Sequence, residues 1–340
     1  MTQGGKWSEC DALAQPSAPG ASSPAAANRP RVATRWAACA LAVAVSTSCS
    51  GEDAPRELPI EERTPKVLLI GIDGVRVDVL AEVPTPNIDR LAATGTFTQR
   101  TRTTTPSVSG PAWSSMLTGV WPEKHGVTDN EFEGRRYDTY PGFLTRIEQA
   151  RPELSTFAVA DWTPLMELEG GSTAVGPEVD RRAVLDGYAL GWAEADAQAT
   201  ALAIEEITRG DPDAMFVYLG NADETSHQTG SIGTQYRDAI AMADRQVGLI
   251  IDAVRARPAY GAENWLILLS TDHGRTDDGD HGGNSPVEMT TFLLTSGPAA
   301  AVDTVDGESF IVDVAVTALA HMGIEIEPAW GLDGRPRGLR

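Results

Sequence analysis

KVLLIGIDG, residues Lys66–Gly74, decides the fold. An apolar run of this length, closing on an aspartate and a glycine, reads as a strand covered on both faces, because a strand with one wet face would alternate. Working outward, similar runs predict strands at Ser155–Ala160, Ala214–Leu219 (AMFVYL), Trp265–Ser270 (WLILLS) and Thr290–Leu294. Helical patterns lie between them at Pro86–Ala93, Trp192–Thr208, Thr234–Arg257 and Val312–Met322. This alternation predicts an α/β protein with a mainly parallel central sheet and helices on both faces. Such sheets bind ligands at the carboxyl ends of their strands. Three strands deliver chelating groups there: the first runs into Asp73, the third into Asp223, the fourth into Asp272 and His273.

The chain has 340 residues, 41% of them hydrophobic and 22% charged, with a net charge of -21. This is the composition of an ordinary globular protein, not of a disordered, collagenous or multi-span membrane chain. The acidic excess argues against binding a nucleic-acid backbone. Cys10, Cys39 and Cys49 are the only cysteines, so neither a disulfide nor a thiolate metal centre is expected after residue 49.

The first fifth reads as a leader. Residues 16–30 are rich in Ala, Ser and Pro and carry no fold. Arg29, Arg31 and Arg35 then precede the short apolar run Trp36–Val45 and small residues ending at Cys49. That order is the pattern of an export signal, too short to remain as a membrane span. It resembles a bacterial lipoprotein signal in which Cys49 becomes the lipidated first residue, with Ser46 departing from the usual Leu, Val or Ile. The expected organisation is a leader over 1–49, a linker over 50–65 and one domain over 66–340.

Five histidines occur, and three stand beside carboxylates at chelating spacings. Asp223 and His227 form D-x-x-x-H, four residues apart, which a helical turn places on one side. Asp272 and His273 are adjacent, so in extended chain they point apart and can serve two ions. His281 lies toward the end of the Gly/Asp-rich loop GRTDDGDHGG, Gly274–Gly283. Imidazoles and carboxylates without thiolate suit zinc or another borderline divalent ion. In TPSVSGPAWSSMLTG, Thr105–Gly119, Ser109 stands at the start of a short helix predicted at Pro111–Leu117. It is placed either as a simple N-cap or where backbone N–H groups favour developing negative charge.

GIDG (71–74), TPNIDRL (85–91), PSVSGP followed by LTG and P-x-x-HG (106–126), DETSH (223–227), TDHG (271–274) and His281 occur together in this order. The set resembles the alkaline phosphatase superfamily, in particular its nucleotide pyrophosphatase/phosphodiesterase branch. The resemblance implies one zinc on Asp73, Asp272, His273 and the nucleophile Ser109, and a second on Asp223, His227 and His281. It also implies an asparagine, here Asn130, donating to a phosphate oxygen, and a two-step displacement through a phospho-enzyme on a small phosphate-ester substrate. His125 and His321 read as structural. Nucleotide-cleaving members carry an aromatic after the nucleophile where this chain has Gly110, leaving Trp113, Trp121 or Trp162 as stacking candidates. Sulfatase maturation would need arginine where Trp113 stands, so Ser109 is not expected to be converted. No base adjoins Ser109 in sequence, the nearest being Arg100, Arg102 and Lys124, and this favours a diester over a more highly charged monoester. A monoesterase or sulfatase-like hydrolase, and a non-catalytic metal-stabilised binding lipoprotein, stay open as alternatives.

Overall fold

The computed structural model describes residues 58–302 and 308–340. The leader, Cys49 and the first half of the linker, residues 50–57, lie outside the described residues. Eight strands form one sheet: β1 (Thr64–Ile72), β2 (Thr96–Arg102), β3 (Thr156–Ala160), β4 (Arg181–Val184), β5 (Ala214–Leu219), β6 (Glu263–Ser270), β7 (Thr290–Ser296) and β8 (Ser309–Phe310), in the order β4-β3-β5-β1-β6-β7-β2-β8. Among them only β7 runs against the others. The mainly parallel sheet expected from the apolar runs is therefore present, and all five predicted strands are in it.

β1 is central because its alternate side chains feed two cores. Val67 and Leu69 pack on one face with Met116, Phe143, Ala315 and Leu319. Leu68, Ile70 and Ile72 pack on the other with Ala199, Ala203, Ile240 and Val247. The helix Trp192–Arg209 shows why it lies flat on the sheet: Ala195, Ala199, Ala203 and Ile207 recur every four residues and are fully buried, a single apolar stripe.

Three strands escaped the sequence reading. β2 (TFTQRTR) and β4 (RRAV) are mostly polar and only partly buried, and β8 is two residues long. They are held by pairing to neighbours already in place, and edge or near-edge strands need no apolar run. The helical turn expected at Asp223–His227 is part of the helix Asn221–Thr229. It follows β5 directly and carries Asp223 and His227 on one side.

Candidate active site

The carboxyl ends of β1, β5 and β6 meet the N-terminus of the helix Ser109–Thr118. After β1 the chain turns sharply at Gly74, whose φ is +66°. A Cβ there would lie 2.5 Å from Asp223 Oδ1, so glycine is what allows Asp73 and Asp223 to approach.

Asp73 is buried and its two oxygens differ. Oδ2 accepts from Trp113 Nε1 at 2.8 Å and from Tyr218 Oη at 2.6 Å. Oδ1 has no donor and lies 3.5 Å from His273 Nε2. Asp272 repeats the pattern: Oδ1 accepts from the Gly74 N–H at 3.1 Å, while Oδ2 has no donor and lies 3.3 Å from the same nitrogen. His273 Nδ1 is 3.1 Å from the Gly274 carbonyl and donates to it, which turns the Nε2 lone pair toward the carboxylates. Ser109 Oγ is 3.1 Å from that Nε2. Two carboxylate oxygens without a donor, one imidazole nitrogen and one hydroxyl thus converge, an arrangement that fits a divalent cation.

The electrostatics agree. Burial, then the neighbouring Asp272 and Asp223, push the Asp73 carboxyl well above the usual range. Burial raises Asp272 to about 7. Burial, then His281, holds His273 well below the ordinary imidazole value. Like-charged groups driven together out of water are costly unless a cation compensates them.

A second group adjoins the first. His227 Nε2 lies 3.3 Å from Asp223 Oδ2 and 3.2 Å from His281 Nε2. His281 Nδ1 is 2.9 Å from the Ser107 carbonyl and donates to it, and the His273 and His281 rings stack at 4.0 Å. Ligand atoms of Asp73, Asp272 and His273, and likewise of Asp223, His273 and His281, lie within 4.8 Å of one another.

All seven residues assigned from sequence as metal ligands are therefore brought to one place, with several corrections of detail. Asp272 and His273 do not point apart, because the chain leaves β6 in a turn and not as extended strand. Ser109 is not an N-cap: Val108 holds that position without a side-chain bond, and the Ser109 hydroxyl faces His273. Trp113 is not a stacking surface but fully buried, holding Asp73. Trp162 is 7% exposed and lies against Tyr218 and Phe132, so it offers no free face either. Asn130 is exposed, and its Oδ1 accepts from the Gly110 N–H at 2.7 Å, which leaves Nδ2 as a donor. A Cβ on Gly110 would come 2.4 Å from the Asp129 carbonyl, so the missing side chain is what seats Asn130 beside Ser109.

Ser107 is fully buried, donating to the Gly283 carbonyl and accepting from the Gly282 N–H; it anchors the His281 loop. His125 bonds Ser115 and the Val127 N–H, and burial lowers it to about 4. His321 lies against the Lys66 and Asn264 carbonyls. Both make the contacts of structural groups.

Three functional candidates were missed. Tyr218 holds Asp73, and its register opposite Gly71 was invisible before strand pairing was known. Tyr188 is 73% exposed and edge-on to Trp192, whose ring packs against Gly220 at the end of β5, which puts an open aromatic at the rim. Arg275 is fully buried in the site, against the expectation that no base reaches it; Lys124 is instead bonded to Asp333 and Gly331. The available signal was that Arg275 is the only Lys or Arg in the loop Gly274–Gly283.

Beside the site, Asp161 follows β3 with neither oxygen hydrogen-bonded. Burial, then Asp196, raises it well above the usual range, and burial pushes Asp196 up to about 6. A raised folded-state pKa favours folding at low pH, and that contribution is lost as pH climbs from about 4 through about 6. Asp161→Asn removes the penalty, so its stability relative to the parent should improve between pH 5 and pH 8 by roughly 1–3 kcal/mol. Denaturant unfolding at the two pH values checks this; a difference independent of pH would contradict it.

Residues 67–329 match the family described as Type I phosphodiesterase / nucleotide pyrophosphatase. The chain belongs to that family. Curated relatives include mouse ectonucleotide pyrophosphatase/phosphodiesterase family member 1, 26% identical over 68% of this chain and 26% of its own length. Mouse family member 7 is 23% identical over 63% of this chain and 51% of its own length. The chain thus spans about a quarter to a half of these relatives. Among solved structures, an inactive variant of murine ectonucleotide pyrophosphatase/phosphodiesterase 5 in complex with AMP superposes with a TM-score of 0.61 at 15% identity, covering 78% of this chain and 96% of that one. A 2-O GAG sulfatase gives 0.61 at 12%, covering 81% and 73%. Both share the fold of this chain.

Proposed function

We propose that this family member is a metal-dependent hydrolase of phosphodiester or pyrophosphate bonds that works through a phosphoryl ester on Ser109. The observation that carries the reading is Ser109 Oγ aimed at the point where the donor-free oxygens of Asp73 and Asp272 meet His273 Nε2. Asp73, Asp272, His273 and Ser109 would hold one ion, and Asp223, His227 and His281 a second, with zinc suited to such a donor set. Ions held there would lower the pKa of the attacking oxygen and carry charge on the departing one.

The chain's own groups do the rest. In the first step the Ser109 hydroxyl gives its proton to solvent and a bond forms from Oγ to phosphorus as the bond to the leaving oxygen breaks, that oxygen taking up a proton from solvent. In the second, water loses a proton to solvent and attacks phosphorus, the bond from phosphorus to Oγ breaks, and Oγ takes up a proton to restore the serine hydroxyl. Trp113 and Tyr218 keep Asp73 from rotating, and burial holds the Tyr218 phenol protonated as a donor. Asn130 Nδ2 is fixed where charge builds on a non-bridging oxygen. Tyr188 presents a face to an aromatic leaving group or base, in place of Trp113 and Trp162; the AMP bound by the murine relative is a ligand of that kind.

The test is a rate comparison on purified protein. An aryl phosphodiester should show a kcat/KM at least about tenfold above the matching monoester, because Asn130 offers a single neutral donor to the non-bridging oxygens. Sulfate esters should be slower still. Tyr188→Ala should raise KM for the aryl diester by roughly tenfold with little change in kcat, the size of a lost stacking contact. Equal diester and monoester efficiencies would replace phosphodiesterase by phosphatase, and no turnover on any ester would leave the binding-lipoprotein alternative.

The leader reading extends the proposal: residues 1–49 export the chain, Cys49 takes the lipid and 50–65 tethers the domain 66–340. Among the described residues no helix is long and apolar enough to cross a membrane. Fatty-acid labelling that is lost in Cys49→Ser is the expected result; labelling absent from the parent would overturn it.

A further inference from the structure

The two clusters that would hold ions differ in one respect. In the first, Asp73 Oδ1 and Asp272 Oδ2 have no donor at all. In the second, Asp223 Oδ1 already accepts from Arg275 Nη2, while Oδ2 lies 3.3 Å from His227 Nε2. The same Nη2 stands 2.8 Å from His227 Nε2, so the guanidinium bonds two of the three groups of that cluster.

Arg275 is built into this position. It is fully buried, its Nη1 donates to the Gly279 carbonyl, and its Nε packs against the Gly74 turn, where a Cβ would lie 2.8 Å away. Burial acts to raise the Asp223 carboxyl, yet Arg275, with help from His227, holds it well below the usual range. A guanidinium does not give up its proton in a protein, so it cannot become neutral to admit an ion, and lone pairs turned toward its N–H groups are not available to a metal.

We propose that Arg275 makes the clusters unequal: the Asp73–Asp272–His273 cluster takes a divalent ion directly, whereas the Asp223–His227–His281 cluster carries the Arg275 guanidinium as its resident cation and takes an ion only by displacing it. The inference rests on the two-cluster reading given above. Filling is therefore sequential, and the chain sets the affinity of the second ion through one side chain that touches Asp223 and His227. The protein alternates between a state with one ion plus a guanidinium and a state with two ions.

The test is a Zn²⁺ titration of the metal-stripped full chain by calorimetry, with bound metal counted by elemental analysis. The parent should take the first ion at least about 100-fold more tightly than the second. Arg275→Met and Arg275→Gln, which remove the charge, should bring the two affinities to within about tenfold, while Arg275→Lys, which keeps it, should stay stepped. Two ions bound by the parent with affinities within tenfold would overturn the role of Arg275 and leave the two-cluster reading intact. A stepped isotherm unchanged in both neutral variants would overturn it as well, since the inequality would then have another cause. No ion bound by the parent would overturn the two-cluster reading and this inference together. The parent isotherm decides the inequality without any variant, so a neutral variant that fails to fold does not protect the proposal.

Discussion

Replacing Ser109 with alanine is expected to lower turnover of an aryl phosphodiester by at least about 10⁴-fold, the scale on which loss of a covalent nucleophile is felt, while the first cluster keeps its ion. The hydroxyl is one of four groups around that point, and the other three, Asp73 Oδ1, Asp272 Oδ2 and His273 Nε2, are held by bonds that do not involve Ser109: Trp113 and Tyr218 hold Asp73, the Gly74 N–H holds Asp272, and the Gly274 carbonyl holds His273. The variant should therefore show near-parental metal content and unfolding temperature with little turnover. Ser107 cannot substitute, because its hydroxyl is bonded to Gly283 and Gly282 behind the loop. Parental rates in the variant would move the nucleophile away from this helix.

Asp73→Asn should produce the other large effect, and of a different kind. Its Oδ2 is committed to two donors, so the carboxylate has one oxygen for an ion, and it carries the charge that an ion needs. In the amide, either the oxygen keeps Trp113 and Tyr218 and an NH₂ group faces the ion, or the NH₂ group faces the two donors. Both outcomes remove a ligand. Ion affinity at the first cluster should fall by more than the 10- to 100-fold typical of an outer partner, and activity at sub-saturating metal should fall in parallel. Trp113→Phe supplies the graded comparison, losing one donor to Oδ2 while the ligand stays, and should fall within that 10- to 100-fold range. Without metal the order reverses: removing one of several buried carboxylates, Asp73 beside Asp272 and Asp223, should leave the stripped Asn variant as stable as the parent or more so. Thermal unfolding with and without Zn²⁺ separates the two effects, and equal metal affinity in parent and variant would remove Asp73 from the ligand set.

The amino-acid sequence by itself determined the five apolar strands, the long helices and the chelating residues at the strand ends. Each of these is encoded locally: a doubly covered strand must be apolar throughout, a helix lying on a sheet must repeat its small residues, and few side chains other than His, Asp and Glu can ligate zinc in a chain with no cysteine after residue 49. Nothing local encodes β2, β4 and β8, whose residues are polar because their stability comes from pairing at or near the sheet edges.

The tertiary structure alone decided what the tryptophans and the arginine do. A tryptophan reads the same in sequence whether it stacks on a substrate or holds a carboxylate. Burial and the bond from Trp113 Nε1 to Asp73 settle which, and they depend on β1 and the helix Ser109–Thr118 lying side by side. Arg275 looked like a loop base among aspartates. Its guanidinium reaches Asp223 and His227, which precede it by 52 and 48 residues, because the ends of β5 and β6 flank β1 and meet at one edge. Ligand identity is a property of residue type, which a sequence carries. Charge compensation is a property of distance, and distances between remote residues exist only once the chain has folded.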